Sequence, residues 1–124
     1  MDVADFRLVD DAVEIFVNGE SLAELVRRLE EPQAAAEPYG LIPGDYEGLN
    51  QWYIEPGPGQ FLTAPTAVSE AGRPFLLGCG CGVPDCHPLT ARIEVGAETV
   101  TWRDFESAIR RWSLGELGPF VFSR

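Results

Sequence analysis

All three cysteines of this chain and its single histidine lie within nine residues, in the stretch CGCGVPDCH from position 79 to 87. If residues 79 to 81 are extended, Cys79 and Cys81 project from the same side of the strand, because side chains repeat every second residue. Gly82-Val83-Pro84-Asp85 is good turn chemistry and would return Cys86 towards Cys81. Three thiols in one small volume suit zinc, which takes four ligands from Cys, His and carboxylate. Cys79, Cys81, Cys86 and His87 are therefore the candidate metal ligands, and zinc is the candidate cofactor. The fourth ligand is the difficulty. His87 and Asp85 both adjoin Cys86, and neighbours on an extended chain point to opposite faces.

The spacing C-x-C-x4-C also differs from the two C-x-x-C knuckles of a zinc ribbon. Two other states fit the same residues: reduced thiols packed in a structural hairpin, and a disulfide between Cys81 and Cys86. The odd number of cysteines favours thiols or ligands over a permanent crosslink. Nucleophilic catalysis by a cysteine would need a base with its own orienting partner; His87 is the sole imidazole and no third group accompanies it. The chain has no lysine, which removes Schiff-base and phosphate-loop chemistry, and no G-x-S-x-G segment. No catalytic residue is assigned, and the pattern weighs against an enzyme.

The elements that would position this stretch are short. FRLVDDAVEIFVNGE predicts an N-terminal β-hairpin: Val13, Ile15 and Val17 alternate after the turn residues Asp10 and Asp11, and Asn18-Gly19 stops the second strand. Ser21 and Glu24 then form a capping box, followed by Leu22, Leu25, Val26 and Leu29 at helical spacing. Glu24, Arg27, Arg28 and Glu30 are expected on the other faces of this helix, and Pro32 is expected to end it. Further on, PFLLGCGC, LTARIEV and ETVTWRDF predict an antiparallel meander, with the cysteine stretch as one of its connections. FESAIRRW predicts a helical turn or two, and GPFVFSR a closing strand. Were FVF an edge strand, a second copy could pair with it, so a homo-oligomer is compatible with the sequence.

Between helix and meander, residues 32 to 74 contain seven prolines, a density that forbids long regular elements. This segment predicts a long irregular arm laid over the domain, its rings buried against a sheet. Alternatively its aromatic residues form a recognition surface, with Tyr46, Trp52 and Tyr53 as the candidate binding residues.

With 124 residues, 45% of them hydrophobic, the chain suits one domain spanning residues 1–124. The expected class is α+β: an antiparallel sheet made of the N-terminal hairpin and the C-terminal meander, one main helix, and the Pro-rich arm. The formal net charge is -11, and residues 1 to 55 supply 13 of the 20 acidic side chains against Arg7, Arg27 and Arg28. Such a field repels phosphate backbones, which argues against nucleic acid and admits a basic protein partner. No basic leader followed by an apolar stretch opens the chain, and no apolar run is long enough to span a bilayer, so a cytoplasmic protein without a membrane partner is expected.

The segment LLGCGCGVPDCHPLTARIEV, with VTWRDFE and LGPFVF downstream, resembles a group of small bacterial proteins. The shared pattern falls on Leu76, Leu77, Gly78, Cys79, Cys81, Gly82, Cys86, Pro88, Leu89, Ala91, Arg92 and Ile93, then on Val100, Trp102, Asp104 and Phe105. It spans residues 76 to 122 and carries no assigned activity. The resemblance implies that position 87 is often aromatic, which weakens His87 as an essential ligand, and that Arg92 and Trp102 brace the meander. Taken together, the expected function is a non-catalytic interaction module with an acidic surface, immunity- or antitoxin-like by analogy only. The alternative is a thiol or metal-site protein centred on the cysteine stretch.

Overall fold

The computed structural model describes residues 1–34, 44–50, 61–62, 72–81, 88–107 and 113–123. Its first two strands, β1 (Ala4–Val9) and β2 (Ala12–Val17), form the expected hairpin. Val9 pairs with Ala12 across a two-residue turn, and Asp10 and Asp11 both take positive φ, 48° and 66°. That is the turn twist which matches the twist of the flanking strands, and Asp is among the few residues that tolerate it. Asn18 (φ 53°) and Gly19 (φ 84°) repeat the device between β2 and the short β3 (Glu20–Ser21).

Helix α1 (Leu22–Ala34) starts where the capping box places it, with the Glu24 N–H donating to Ser21 Oγ at 3.4 Å. Two expectations for this helix are corrected. Pro32 lies inside it rather than ending it. Proline cannot donate to the Arg28 carbonyl, but Arg28 and Pro32 are both exposed, so water can take that acceptor. Glu30 is not on an outer face. It is fully buried, in one stripe with Leu22 and Val26, because residues four apart stack on a helix.

The third correction concerns the arm. Tyr46–Asn50 is a strand, β4, and it lies inside the sheet between β2 and β5 (Phe75–Cys79). Gly48 makes this possible: a Cβ there would come within 2.4 Å of the Val13 carbonyl oxygen. The meander follows as expected, with β5, β6 (Leu89–Val95) and β7 (Thr99–Ser107) antiparallel in sequence, and β8 (Phe120–Ser123) closing on β7. Strand β7 runs through Phe105, Glu106 and Ser107, where a helical turn was expected; residues 108 to 112 lie outside the described residues.

The resulting order is β1-β2-β4-β5-β6-β7-β8, with β3 beside β2. This sheet curls until its ends approach one another: Asp2 bridges Phe122, and the Asp2 N–H donates to the Val121 carbonyl at 2.9 Å. Inside the curl, Phe6 of β1 lies 6.4 Å from Trp102 of β7, and Trp102 meets Phe122 edge-on at 4.6 Å. Phe61 stacks on Phe6 at 5.6 Å, and its carbonyl accepts the Trp102 indole N–H at 2.9 Å. The indole is thus fully buried with its one donor satisfied. The described residues form an α+β arrangement with one antiparallel sheet, one helix and one hydrophobic core. Among them, no helix is long and apolar enough to cross a membrane.

Candidate functional site

The cysteine stretch begins at the inner end of β5, whose five residues are all buried. Cys79, 3% exposed, is the last strand residue and sits opposite Tyr46 in the register with β4. The chain then turns. Gly80 and Cys81 leave the extended conformation, so the same-side placement expected of Cys79 and Cys81 does not apply: the first is buried and the second exposed. The turn is pinned by the Gly80 N–H, which donates to the Asp45 carbonyl at 2.9 Å. Gly80 is itself covered by the Asp45 carboxylate; a Cβ at position 80 would lie 2.0 Å from Asp45 Oδ1. Asp45 therefore lies against the residue between the two cysteines, a neighbour that local spacing could not reveal because it sits just before the adjoining strand β4. Cys86 and His87, the other two candidate ligands, lie outside the described residues. Among the described residues, no group of three His, Cys, Asp or Glu side chains is arranged to hold a metal ion.

Of the three candidate aromatic binding residues, Trp52 and Tyr53 lie outside the described residues. Tyr46 is in the core, 8% exposed, and its hydroxyl donates to Glu30 Oε2 at 2.9 Å. The other Glu30 oxygen accepts the Gly44 N–H at 2.8 Å. A buried carboxylate is tolerable when donors surround it in this way. This pair ties α1 to β4 and places Tyr46 between the helix and the strand that carries Cys79.

A groove of about 590 Å3 opens along the flank of α1 next to its buried stripe, and no motif in the sequence announces it. One wall is the helix face bearing Leu25, Arg28 and Leu29, spaced three and four apart so that they share a face. The other wall is residues 116 to 120, which include the cis peptide between Gly118 and Pro119. Beside the groove, Gln33 ties α1 to the segment that leads into the second wall: its side-chain NH2 donates to the Leu29 and Ser113 carbonyls at 2.9 and 2.8 Å, and its oxygen accepts the Ser113 N–H at 2.6 Å.

Charge around this groove is uneven. Arg28 is held by Glu20 at 2.8 Å and, more distantly, by Glu24 at 3.8 Å. Asp2, at the closed end of the sheet, accepts the Asn18 side-chain N–H at 2.9 Å and the Val121 N–H at 2.8 Å. Those two donors, the Asn18 amide first, hold its carboxyl below the ordinary value of 3.8. Glu116 is exposed and makes no ion pair with any described residue. No family model, curated protein or solved structure matches this chain, so whatever the site does must be read from its own residues.

Proposed function

We propose that this is a non-catalytic interaction protein whose acidic face meets a basic surface on a protein partner. The observation that supports this reading is the fate of the first three arginines. Arg7 pairs with Asp5, Arg27 with Glu24 and Glu31, and Arg28 with Glu20, all on the outside of the molecule. Every arginine of residues 1 to 55 is thereby paired within its own chain, while Asp10 and Glu47 stand exposed on a strongly acidic chain. A surface of one sign steers an oppositely charged partner and excludes polyanions such as nucleic acid. Immobilised protein should retain a basic partner at about 20 mM salt and release it by about 300 mM, where screening shortens the range of the field. Recovery of no partner at low salt, or of one indifferent to salt and to the double change Asp10→Arg and Asp11→Arg, overturns the reading.

A second reading is favoured by the Asp45 carboxylate packed over the turn between Cys79 and Cys81. It makes the cysteine stretch a thiol or zinc site, with Cys86 and His87 as the remaining donors. Elemental analysis of protein prepared without chelator, beside a native thiol count, tests it. About one zinc per chain with thiols released on chelation is the expected result. Metal-free protein whose thiols react at ordinary rates removes it.

A further inference from the structure

We infer that the groove between α1 and residues 116 to 120 receives an apolar side chain flanked by arginine or lysine, as the anchoring segment of a basic protein partner. This rests on the acidic-face reading above and assigns it a place. The groove has the size of a ligand site, about 590 Å3 against a usual range of roughly 300 to 1,000 Å3. Its inner surface is apolar, from Leu25 and Leu29 on the helix and Leu117 and Phe120 on the facing wall. Leu25, Leu29 and Phe120 are only partly buried, so the chain leaves apolar area there for another surface to cover.

The rim selects what can enter. Asp2, Glu20 and Glu116 contribute three carboxylates against the single guanidinium of Arg28, which Glu20 already neutralises. Asp2 directs its hydrogen bonds to Asn18 and Val121 and has the chain's own amino terminus as a nearby cation, whereas Glu116 lines the opening with no ion pair among the described residues. An anionic guest would be repelled, and a neutral apolar one would leave the surplus charge unmatched. The acids stand around the opening rather than at one point, since Glu20 lies just before α1, Glu116 begins the facing wall, and Asp2 is hydrogen-bonded to Val121 just beyond that wall's other end. A peptide with cations on either side of an apolar anchor meets both walls; a compact amine meets one. Apolar anchors in a pocket with charges at the rim are the usual division of labour in an interface, the anchor supplying affinity and the charges selecting the partner.

The test uses the capped peptide Arg-Arg-Leu-Trp-Arg-Arg, titrated into nitrogen-15 labelled protein at low salt and followed by amide chemical shifts. Two controls accompany it: Glu-Glu-Leu-Trp-Glu-Glu, and Arg-Arg-Gly-Gly-Arg-Arg. The expected result is saturable shifts at Leu25, Leu29, Leu117 and Phe120 with the first peptide, and none there with either control. Glu116→Gln, at an exposed position whose change leaves the fold intact, should weaken binding about two- to fivefold, the worth of one exposed charge pair. Shifts confined to the hairpin around Asp10 and Asp11 would overturn the groove assignment and leave the acidic-face function standing. Equal binding of the glutamate peptide overturns the charge selection. Absence of binding by both arginine peptides, with the folded spectrum unchanged, removes the groove assignment and the acidic-face reading together.

Discussion

Single residues set this fold where two backbones come closest. At Gly48 the sheet crosses from the N-terminal hairpin to the meander, and the missing side chain lets β4 lie against Val13. The obstacle to any larger residue is main-chain carbonyl, which cannot rotate away as a side chain could. Gly48→Ala should therefore separate β2 from β4 and cost about 1 to 3 kcal/mol, the usual range for overpacking. Chemical denaturation measures it, and a variant as stable as the parent would show that the two strands have room to shift. Glu30 teaches a related lesson. Its charge led to an outer face being expected, although its spacing from Leu22 and Val26 puts it in their stripe, and its partners, Gly44 and Tyr46, are fourteen and sixteen residues further on. Local periodicity can place such a side chain on a face; it cannot supply the donors that make the burial tolerable.

Elements with strong local signals are the legible ones. Both flanks of the first hairpin alternate, its turn residues accept positive φ, and the helix start carries its cap, so β1, β2 and the beginning of α1 follow from the sequence. Strand β7 shows where alternation misleads. Val100 and Trp102 face inward, then Phe105 and Ser107 do, so the inward parity changes between positions 102 and 105. The structure absorbs the change in a bulge: Thr90 pairs with Glu106 and Arg92 with Arg103, which leaves one extra residue on β7. Asp104, with φ 54°, sits in that irregularity, and its carbonyl accepts a hydrogen bond from Arg73. Arg73 also donates to Thr90 Oγ1 at 3.1 Å, holding the bulge from the far side of β6. A break in period two reads as the end of a strand and the start of a helix unless a bulge is allowed for, which is why Phe105 to Ser107 were expected to be helical. Strand β4 was illegible for another reason: its sequence, YEGLN, has one glycine, one acid and one amide in five residues, and only its neighbours make it a strand. The cysteine connection was placed correctly between two antiparallel strands, but Asp45 approaches it across the β4–β5 pairing, a contact no linear spacing encodes.

On the scale of the whole molecule, the curl of the sheet depends on how its first residues meet its last strand. Asn18 organises that junction, accepting the Val3 N–H on its side-chain oxygen at 2.8 Å and donating to Asp2 at 2.9 Å. Asp2 in turn holds Val121 from both sides, through its own N–H and its carboxylate. The carboxyl is held below its ordinary value of 3.8, so the ionised form favours the folded state. That contribution is complete above the unfolded value and is lost as pH falls through the lower folded one. Denaturation midpoints of the parent and of Asp2→Asn, taken from pH ~6 to ~3, should converge as acid removes the charge that the variant never had. Parallel curves across that window would mean that Asp2 does not titrate with folding. The same carboxylate stands at the rim of the groove, so the closure of the sheet and the electrostatics of the proposed interface share one group.

Beside that groove the helix is tied to the C-terminal segment by the primary amide of Gln33, which both donates to and accepts from the backbone of residue 113. A carboxylate in its place could accept but not donate. Glutamate there would exchange two donated bonds for a negative charge facing two carbonyl oxygens, and the C-terminal segment would lose its tether to the helix. The link between the helix and the C-terminal segment is in that sense set by one side chain, and Gln33→Glu should disturb the groove side of the molecule before it disturbs the core.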